Sequence, residues 1–216
     1  MDVRAWLERC PLVAILRGVQ PAEAESICSA LESAGVCIVE VPLNSPSPLE
    51  SISILSRTFS DRMLIGAGTL TEPSQVRDVA AAGGRLIVTP HADTSIVRIA
   101  KQAGLYAFPG FFNPTEAFAL LQAGADAIKL FPAEVLGLPM LKALRAVLPK
   151  SAIVIPVGGV DANQVAPWMA AGALGLGVGS SLYKPGDDAT TVERNAQALV
   201  AAVHAYRNGQ TEWGKR

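Results

Sequence analysis

Histidine and cysteine are scarce in this chain, and their scarcity removes whole classes of chemistry. His91 and His204 are the only histidines among 216 residues, and no HxH, HExxH or cysteine cluster accompanies them, so a zinc site would need an unusual ligand set. With no histidine placed to act as base, Ser180 and Ser181 do not read as serine nucleophiles. Cys10, Cys28 and Cys37 make no CxxC pair and no even set, and they read as reduced thiols of a cytoplasmic protein. A net charge of -1 gives no excess for nucleic acid or an anionic membrane as partner. Long apolar runs are missing too. Residues 162–183 carry no Asp, Glu, Lys or Arg, yet Asn163, Gln164 and Pro167 interrupt them and Gly172, Gly175, Gly177 and Gly179 punctuate them. That pattern reads as a helix followed by a glycine-rich strand rather than a membrane span. The opening MDVRAWLERCPLVAILRG is broken by Glu8 and Arg9 and does not read as a secretory signal.

What the chain has is a repeated rhythm. Ala34-Gly35, Ala82-Gly83, Ala103-Gly104, Ala123-Gly124 and Ala171-Gly172 each follow an amphipathic stretch and precede an apolar run. Glycine supplies the left-handed position just past a helix end, so each pair marks a helix stopping before a strand. The apolar runs are 12–18, 37–43, 64–70, 86–90, 105–110, 127–132, 153–159 and 174–180. Helix starts are expected at Pro21, Pro48, Glu72-Pro73, Asp93-Thr94, Asn113-Pro114, Leu138-Pro139, Asp161 and Thr190-Thr191. The alternation predicts a (β/α)8 TIM barrel made of one domain over residues 1–216, with a doubly wound open sheet as the competing architecture. Val3–Arg9 is expected to form a short N-terminal helix closing the barrel bottom, and the polar segment 208–216 to be a frayed tail.

In such a barrel alternate strand residues point inward and chemistry sits at the C-terminal strand ends. The polar residues that interrupt or follow apolar runs are therefore informative: Arg17, Glu40, Asn44, Thr69, Thr89, Lys129, Gly158-Gly159 and Gly179-Ser180. Lys129 is the only lysine in a strand, flanked by Ile128 and Leu130. Burial there would favour the neutral amine that attacks a carbonyl. The strand pattern alone leaves a lysine ion-paired inside the barrel as an equal reading. Glu40, between Val39 and Val41, has the same character and could carry protons beside Lys129 or simply pair with it. The turns Gly158-Gly159 and Gly179-Ser180 follow the seventh and eighth runs, where backbone amides of this fold cradle phosphate. Arg17, at the end of the first run, would add a cation. A metal-free phosphate-binding barrel remains compatible with an isomerase, or with a catalytically silent binding protein.

The motifs AILRG (14–18), VEVPLNSP (39–46), IGAGT (65–69), IVTP (87–90), DAIKLFPA (126–133), VGGV (157–160) and GVGSSLY (177–183) together resemble the 2-keto-3-deoxy-6-phospho-sugar-acid aldolases. The resemblance runs from about Pro11 to Arg207 with the motifs in the same order. It implies a class I aldolase and a homotrimer, with a phosphorylated keto acid as substrate and no cofactor or metal. Lys129 would form the Schiff base and Glu40 would shuttle protons. Thr69 and Asn44 would hold the substrate carboxylate. Arg17, Gly158, Gly159, Gly179 and Ser180 would hold the phosphate, with Pro90 and Phe131 shaping the pocket around the imine. Asn44 after the glutamate motif, and Val157 before the double glycine, are similar to the family's galactonate branch rather than its gluconate branch. Phe111 and Phe112 depart from the small residues usual in the family and are expected to narrow or reshape the substrate entry.

Overall fold

In the computed structural model, which describes residues 2–213, helices and strands alternate along the chain. The first half runs α1 (Val3–Arg9), β1 (Leu12–Ile15), α2 (Pro21–Ser33), β2 (Ile38–Pro42), α3 (Pro48–Phe59), β3 (Leu64–Gly68), α4 (Gln75–Ala81), β4 (Leu86–Val88) and α5 (Thr94–Gln102). The second half runs β5 (Tyr106–Phe108), β6 (Gly110–Phe111), α6 (Pro114–Gln122), β7 (Ile128–Leu130), α7 (Ala133–Val147), β8 (Val154–Pro156), α8 (Ala162–Ala170), β9 (Leu176–Val178) and α9 (Ala189–Trp213).

Local chemistry accounts for most of these boundaries. Each Ala-Gly pair ends a helix, with the alanine as C-cap and the glycine at a positive φ between 75° and 104°. At the other ends, the Asp93 carboxylate accepts from the Ser95 and Ile96 amides, Asn113 from Glu116, and Asp161 from Asn163 and Gln164. α7 begins earlier than the expected Leu138-Pro139. One turn forms from Ala133, breaks at Gly137 (φ 70°, ψ 171°), and the helix resumes with Pro139 in its first turn, where a missing N–H costs little. α9 carries residues 208–213 of the segment read as a frayed tail, and residues 214–216 lie outside the described residues.

All strand pairings are parallel. A six-stranded sheet has the order β5-β4-β3-β2-β1-β9 and a three-stranded sheet the order β6-β7-β8. β5 and the start of β6 come from the single run 105–110, and β6 extends one residue past it to Phe111. Pro109 has no N–H to continue the ladder, and its carbonyl accepts from Lys129 N–H at 2.8 Å. On the other side an isolated parallel bridge joins Val157, after β8, to Gly177 on β9. Strand residues are buried almost throughout, as parallel strands between helices must be. The three cysteines are free and buried in this core, where desolvation pushes the Cys10 thiol up to about 11 and Cys28 to about 12. Among the described residues, no helix is long and apolar enough to cross a membrane.

α1 covers the N-terminal strand ends, away from the candidate site. Trp6 is buried beneath the guanidinium groups of Arg9 and Arg85, 5.1 and 5.8 Å from the ring centroid. Arg207 of α9 donates to the carbonyls of Leu7 and Glu8, so the last helix clasps the first. Trp6→Ala is expected to cost about 3–5 kcal/mol in chemical denaturation, because a buried indole leaves a cavity that the strand ends cannot close.

Candidate active site

With a period of two, β2 turns Val39 and Val41 to one face and Glu40 to the other, and β7 separates Ile128 and Leu130 from Lys129 in the same way. Ile128 and Leu130 join the hydrophobic core, while Lys129 and Glu40 line one interior pocket with Ile15, Phe108, Ile155 and Val157. Lys129 is 6% exposed and Glu40 1%. The space between these side chains is about 10 Å³, at the threshold for one water molecule.

Burial dominates the electrostatics. Desolvation raises the Glu40 carboxyl from 4.5 to about 7, against the opposing pull of Lys129 and then Arg17. Desolvation likewise lowers the Lys129 ammonium below 10.5; Glu40 opposes that shift and Arg17 adds to it. Ion pairs within 4.0 Å among the described residues involve Arg62 and Lys101, not this pair. Lys101 is what an ion-paired structural lysine looks like, 2.7 Å from Asp126 and donating as well to the Leu105 carbonyl. Lys129 Nζ instead stands 4.8 Å from the centroid of the Phe131 ring. Glu40 Oε2 is buried with no hydrogen-bond partner, an arrangement that costs about 1–3 kcal/mol and commonly marks function. Gly68 makes this carboxylate possible: a Cβ on Gly68 would overlap the Glu40 carboxyl group.

Just beyond the strand ends, Arg17 Nη1 donates to Asn44 Oδ1 at 2.7 Å and Nη2 to Thr69 Oγ1 at 3.4 Å. Thr69 has φ 59°, a left-handed conformation rare for a β-branched residue and often found at functional positions. Arg17 therefore belongs to the Asn44–Thr69 group as well as to the glycine turns, a grouping that spacing alone did not reveal. Arg17, Asn44, Gly158, Gly159, Gly179 and Ser180 all line one cleft of about 760 Å³. Gly158 and Gly159 both take positive φ, 116° and 65°, conformations that favour glycine over residues with a side chain. Ser181 Oγ donates to the Val160 carbonyl at 2.6 Å and ties this turn to the one after β9. Val157 lines both the cleft and the inner pocket and packs on Gly177, where a Cβ would come within 2.5 Å of Val157 Cγ2.

Other expected residues fall nearby or elsewhere. Pro90 lies against Gly110, which pairs with Lys129 across β6 and β7. The Thr89 hydroxyl is structural, donating to the His91 carbonyl and accepting from Gly110 N–H. Neither Phe111 nor Phe112 is among the residues lining the cleft. Phe111 turns into the core at 1% exposure, and Phe112, in the bend that follows, is 49% exposed. Glu134, Tyr183 and Lys184, not among the expected site residues, line the cleft together with Ser181 of the turn after β9, and the Tyr183 hydroxyl donates to Glu23 Oε1 on α2 at 2.7 Å. Glu134 stands five places after Lys129, immediately beyond the DAIKLFPA motif, and that adjacency is the one sequence signal pointing to it. Among the described residues, no three His, Cys, Asp or Glu side chains gather to hold a metal ion.

A desolvated amine and a carboxyl group poised near neutrality, opening toward a glycine-lined cleft, form a site suited to covalent carbonyl chemistry on an anionic substrate. The sequence profile of the KDPG and KHG aldolases matches residues 3–200, and the chain belongs to that family. It is 45% identical to the 2-dehydro-3-deoxy-6-phosphogalactonate aldolase of Escherichia coli strain K12 over 94% of this chain and 97% of that protein. A native KDPGal structure superposes with a TM-score of 0.91 at 42% identity, covering 93% of this chain and 97% of the other. The KDPG aldolase of Legionella pneumophila, solved with pyruvate captured at low pH as a covalent carbinolamine, superposes with a TM-score of 0.80 at 26% identity, over 95% and 98% of the two chains.

The Glu40 shift has a definite sign in stability. Its protonated form is favoured in the folded chain, so between pH 4.5 and about 7 the folded state binds more protons and stability falls as pH rises. The depressed Lys129 acts oppositely, destabilising the fold while it is charged and less so as pH rises toward 10.5. Glu40→Gln removes the first contribution. Its melting temperature relative to wild type is expected to rise between about pH 5 and pH 7.5, and a difference that stays flat across this window would contradict the shift.

Proposed function

We propose that this chain is a class I aldolase that cleaves 2-dehydro-3-deoxy-6-phosphogalactonate to pyruvate and glyceraldehyde 3-phosphate through an imine on Lys129. The observation that carries this reading is a buried strand lysine without an ion pair, facing a carboxyl group raised to about 7. Desolvation shifts Lys129 toward the neutral amine, and a carboxyl titrating near neutrality can both give and take protons.

In this mechanism Lys129 Nζ attacks the C2 carbonyl to form a carbinolamine. Glu40 donates a proton to the departing hydroxyl, and water leaves to give the protonated imine. Glu40, now ionised, removes the C4 hydroxyl proton directly or through water. The C3–C4 electron pair moves into the iminium, so that glyceraldehyde 3-phosphate departs and a pyruvate enamine remains. Glu40 returns the proton to C3, and water hydrolyses the imine to release pyruvate and free Lys129. Thr69 and Asn44 are assigned to the substrate carboxylate. The Arg17 contacts to both extend that guanidinium to the same group. Gly158, Gly159, Gly179 and Ser180 are assigned to the phosphate, and Pro90 and Phe131 to the walls of the imine pocket.

The galactonate substrate is favoured by the 45% identity to the Escherichia coli phosphogalactonate aldolase, against 26% for the Legionella KDPG aldolase. Val157 supports the same assignment, since it occupies the junction between the imine pocket and the cleft, where the C4 configuration must be read. The C4-epimeric gluconate is the second reading. We further propose that the two sheets form one closed (β/α)8 barrel, with β5 and β6 as halves of a strand broken at Pro109 and the Val157–Gly177 bridge closing the other seam. A homotrimer belongs to the same reading, and exposed Phe112, Phe118 and Val135 supply apolar surface for an interface.

Pyruvate with borohydride is expected to reduce an adduct onto Lys129 alone, identified by peptide mapping. Lys129→Met is expected to lower kcat on the order of 10³-fold or more, and Glu40→Gln about 10²- to 10⁴-fold. Unlabelled Lys129, or cleavage surviving Lys129→Met, would overturn the mechanism. Assayed on the two C4 epimers, the protein is expected to prefer the galactonate in kcat/KM, and Val157→Thr to shift the ratio toward the gluconate. Equal rates on both would remove Asn44 and Val157 as markers of the configuration.

A further inference from the structure

We infer that Glu134 is an electrostatic counterweight in the phosphate cleft, its carboxylate lying across the Gly158-Gly159 turn and competing with the substrate phosphate for it. The inference rests on the phosphate assignment made above for these turns. It adds a residue that works against binding and thereby speeds release of the phosphorylated aldehyde.

The geometry is specific. A Cβ on Gly158 would overlap Glu134 Oε2, and one on Gly159 would come within 2.9 Å of Glu134 Cβ. The glycine pair thus leaves room for this side chain as well as supplying two left-handed residues. Glu134 is held there by its backbone. The amide of Ala133 donates to the Val157 carbonyl at 2.9 Å, fixing the first turn of α7 beside the end of β8, and Gly137 ends that turn one residue after Leu136.

The other charges of the cleft are engaged or of opposite sign. Arg17 is bonded to Asn44 and Thr69, the Asp161 carboxylate caps α8, and Lys184 is a cation. Among the described residues, the exposed Glu134 side chain makes no hydrogen bond and no ion pair within 4.0 Å, so no direct contact offsets its charge. A phosphate dianion seated on the turn would lie within a few ångströms of it. At partly screened separations of that order, two like charges repel by enough to change affinity about three- to tenfold.

The test measures KM for the phosphorylated keto acid and the inhibition constant of inorganic phosphate, in wild type, Glu134→Gln, Glu134→Ala and Glu134→Asp. Gln and Ala are expected to lower both constants about three- to tenfold, Asp to retain wild-type values, and the gap to narrow as salt is raised. Unchanged constants in Glu134→Gln overturn the inference, and so does a raised KM, the sign of a lost hydroxyl contact. The underlying reading is tested separately in the wild-type protein. If Lys129 is labelled by pyruvate and borohydride while Glu134→Gln leaves both constants unmoved, only the role of Glu134 falls. If wild type is neither labelled nor cleaves the substrate, the aldolase reading falls and this inference with it.

Discussion

Removing the Lys129 amine from water destabilises its charged form, and the same burial destabilises the ionised form of Glu40. The rest of the site follows from that shared desolvation. Lys101 and Asp126 stand in direct contact nearer the surface, 2.7 Å apart, whereas Lys129 and Glu40 form no such pair. Burial therefore outweighs their mutual attraction, lowering the Lys129 ammonium and raising the Glu40 carboxyl to about 7, the directions that favour amine attack and proton transfer. Gly68 maintains this state by omitting a side chain, since any larger residue would drive the Glu40 carboxyl out of its position.

The fold separates this costly interior from the parts that stabilise it. At the N-terminal strand ends, Trp6 is enclosed by Arg9 and Arg85, and Arg207 closes α9 onto α1. At the C-terminal ends the chain accepts strain and unpaired polarity: Thr69 in a left-handed conformation, Glu40 with an orphaned oxygen, and a cleft lined by glycine. Parallel strands permit this division because all their C-terminal ends emerge on one side.

The elements were legible in the sequence where one residue dictates one backbone state. Ala-Gly pairs ended helices where expected, and Asp93, Asn113 and Asp161 capped them. The inward direction of Lys129 and Glu40 followed from their apolar neighbours. Features created by contact between distant segments were not legible. The run 105–110 looks continuous, and only the pairing of Pro109 with Lys129 shows where its ladder breaks. Arg17 lines the cleft with the glycine turns, and its further contacts to Asn44 and Thr69 span 27 and 52 residues of sequence. Phe111 and Phe112 look alike in the sequence, but β6 ends at Phe111, which enters the core, and Phe112 falls in the exposed bend that follows. Gly68 sat inside a recognised motif without a visible role, because its importance is the space it leaves for a side chain on β2.

The hydrogen bond from Ser181 to the Val160 carbonyl joins the two glycine turns into one mechanical part. Tyr183, two residues further on, anchors the same segment to Glu23 on α2. Remodelling the cleft by loop exchange would therefore require both turns, together with the α2 anchor, to be transplanted as a single module. A graft of either turn alone would arrive without the partner that sets its shape.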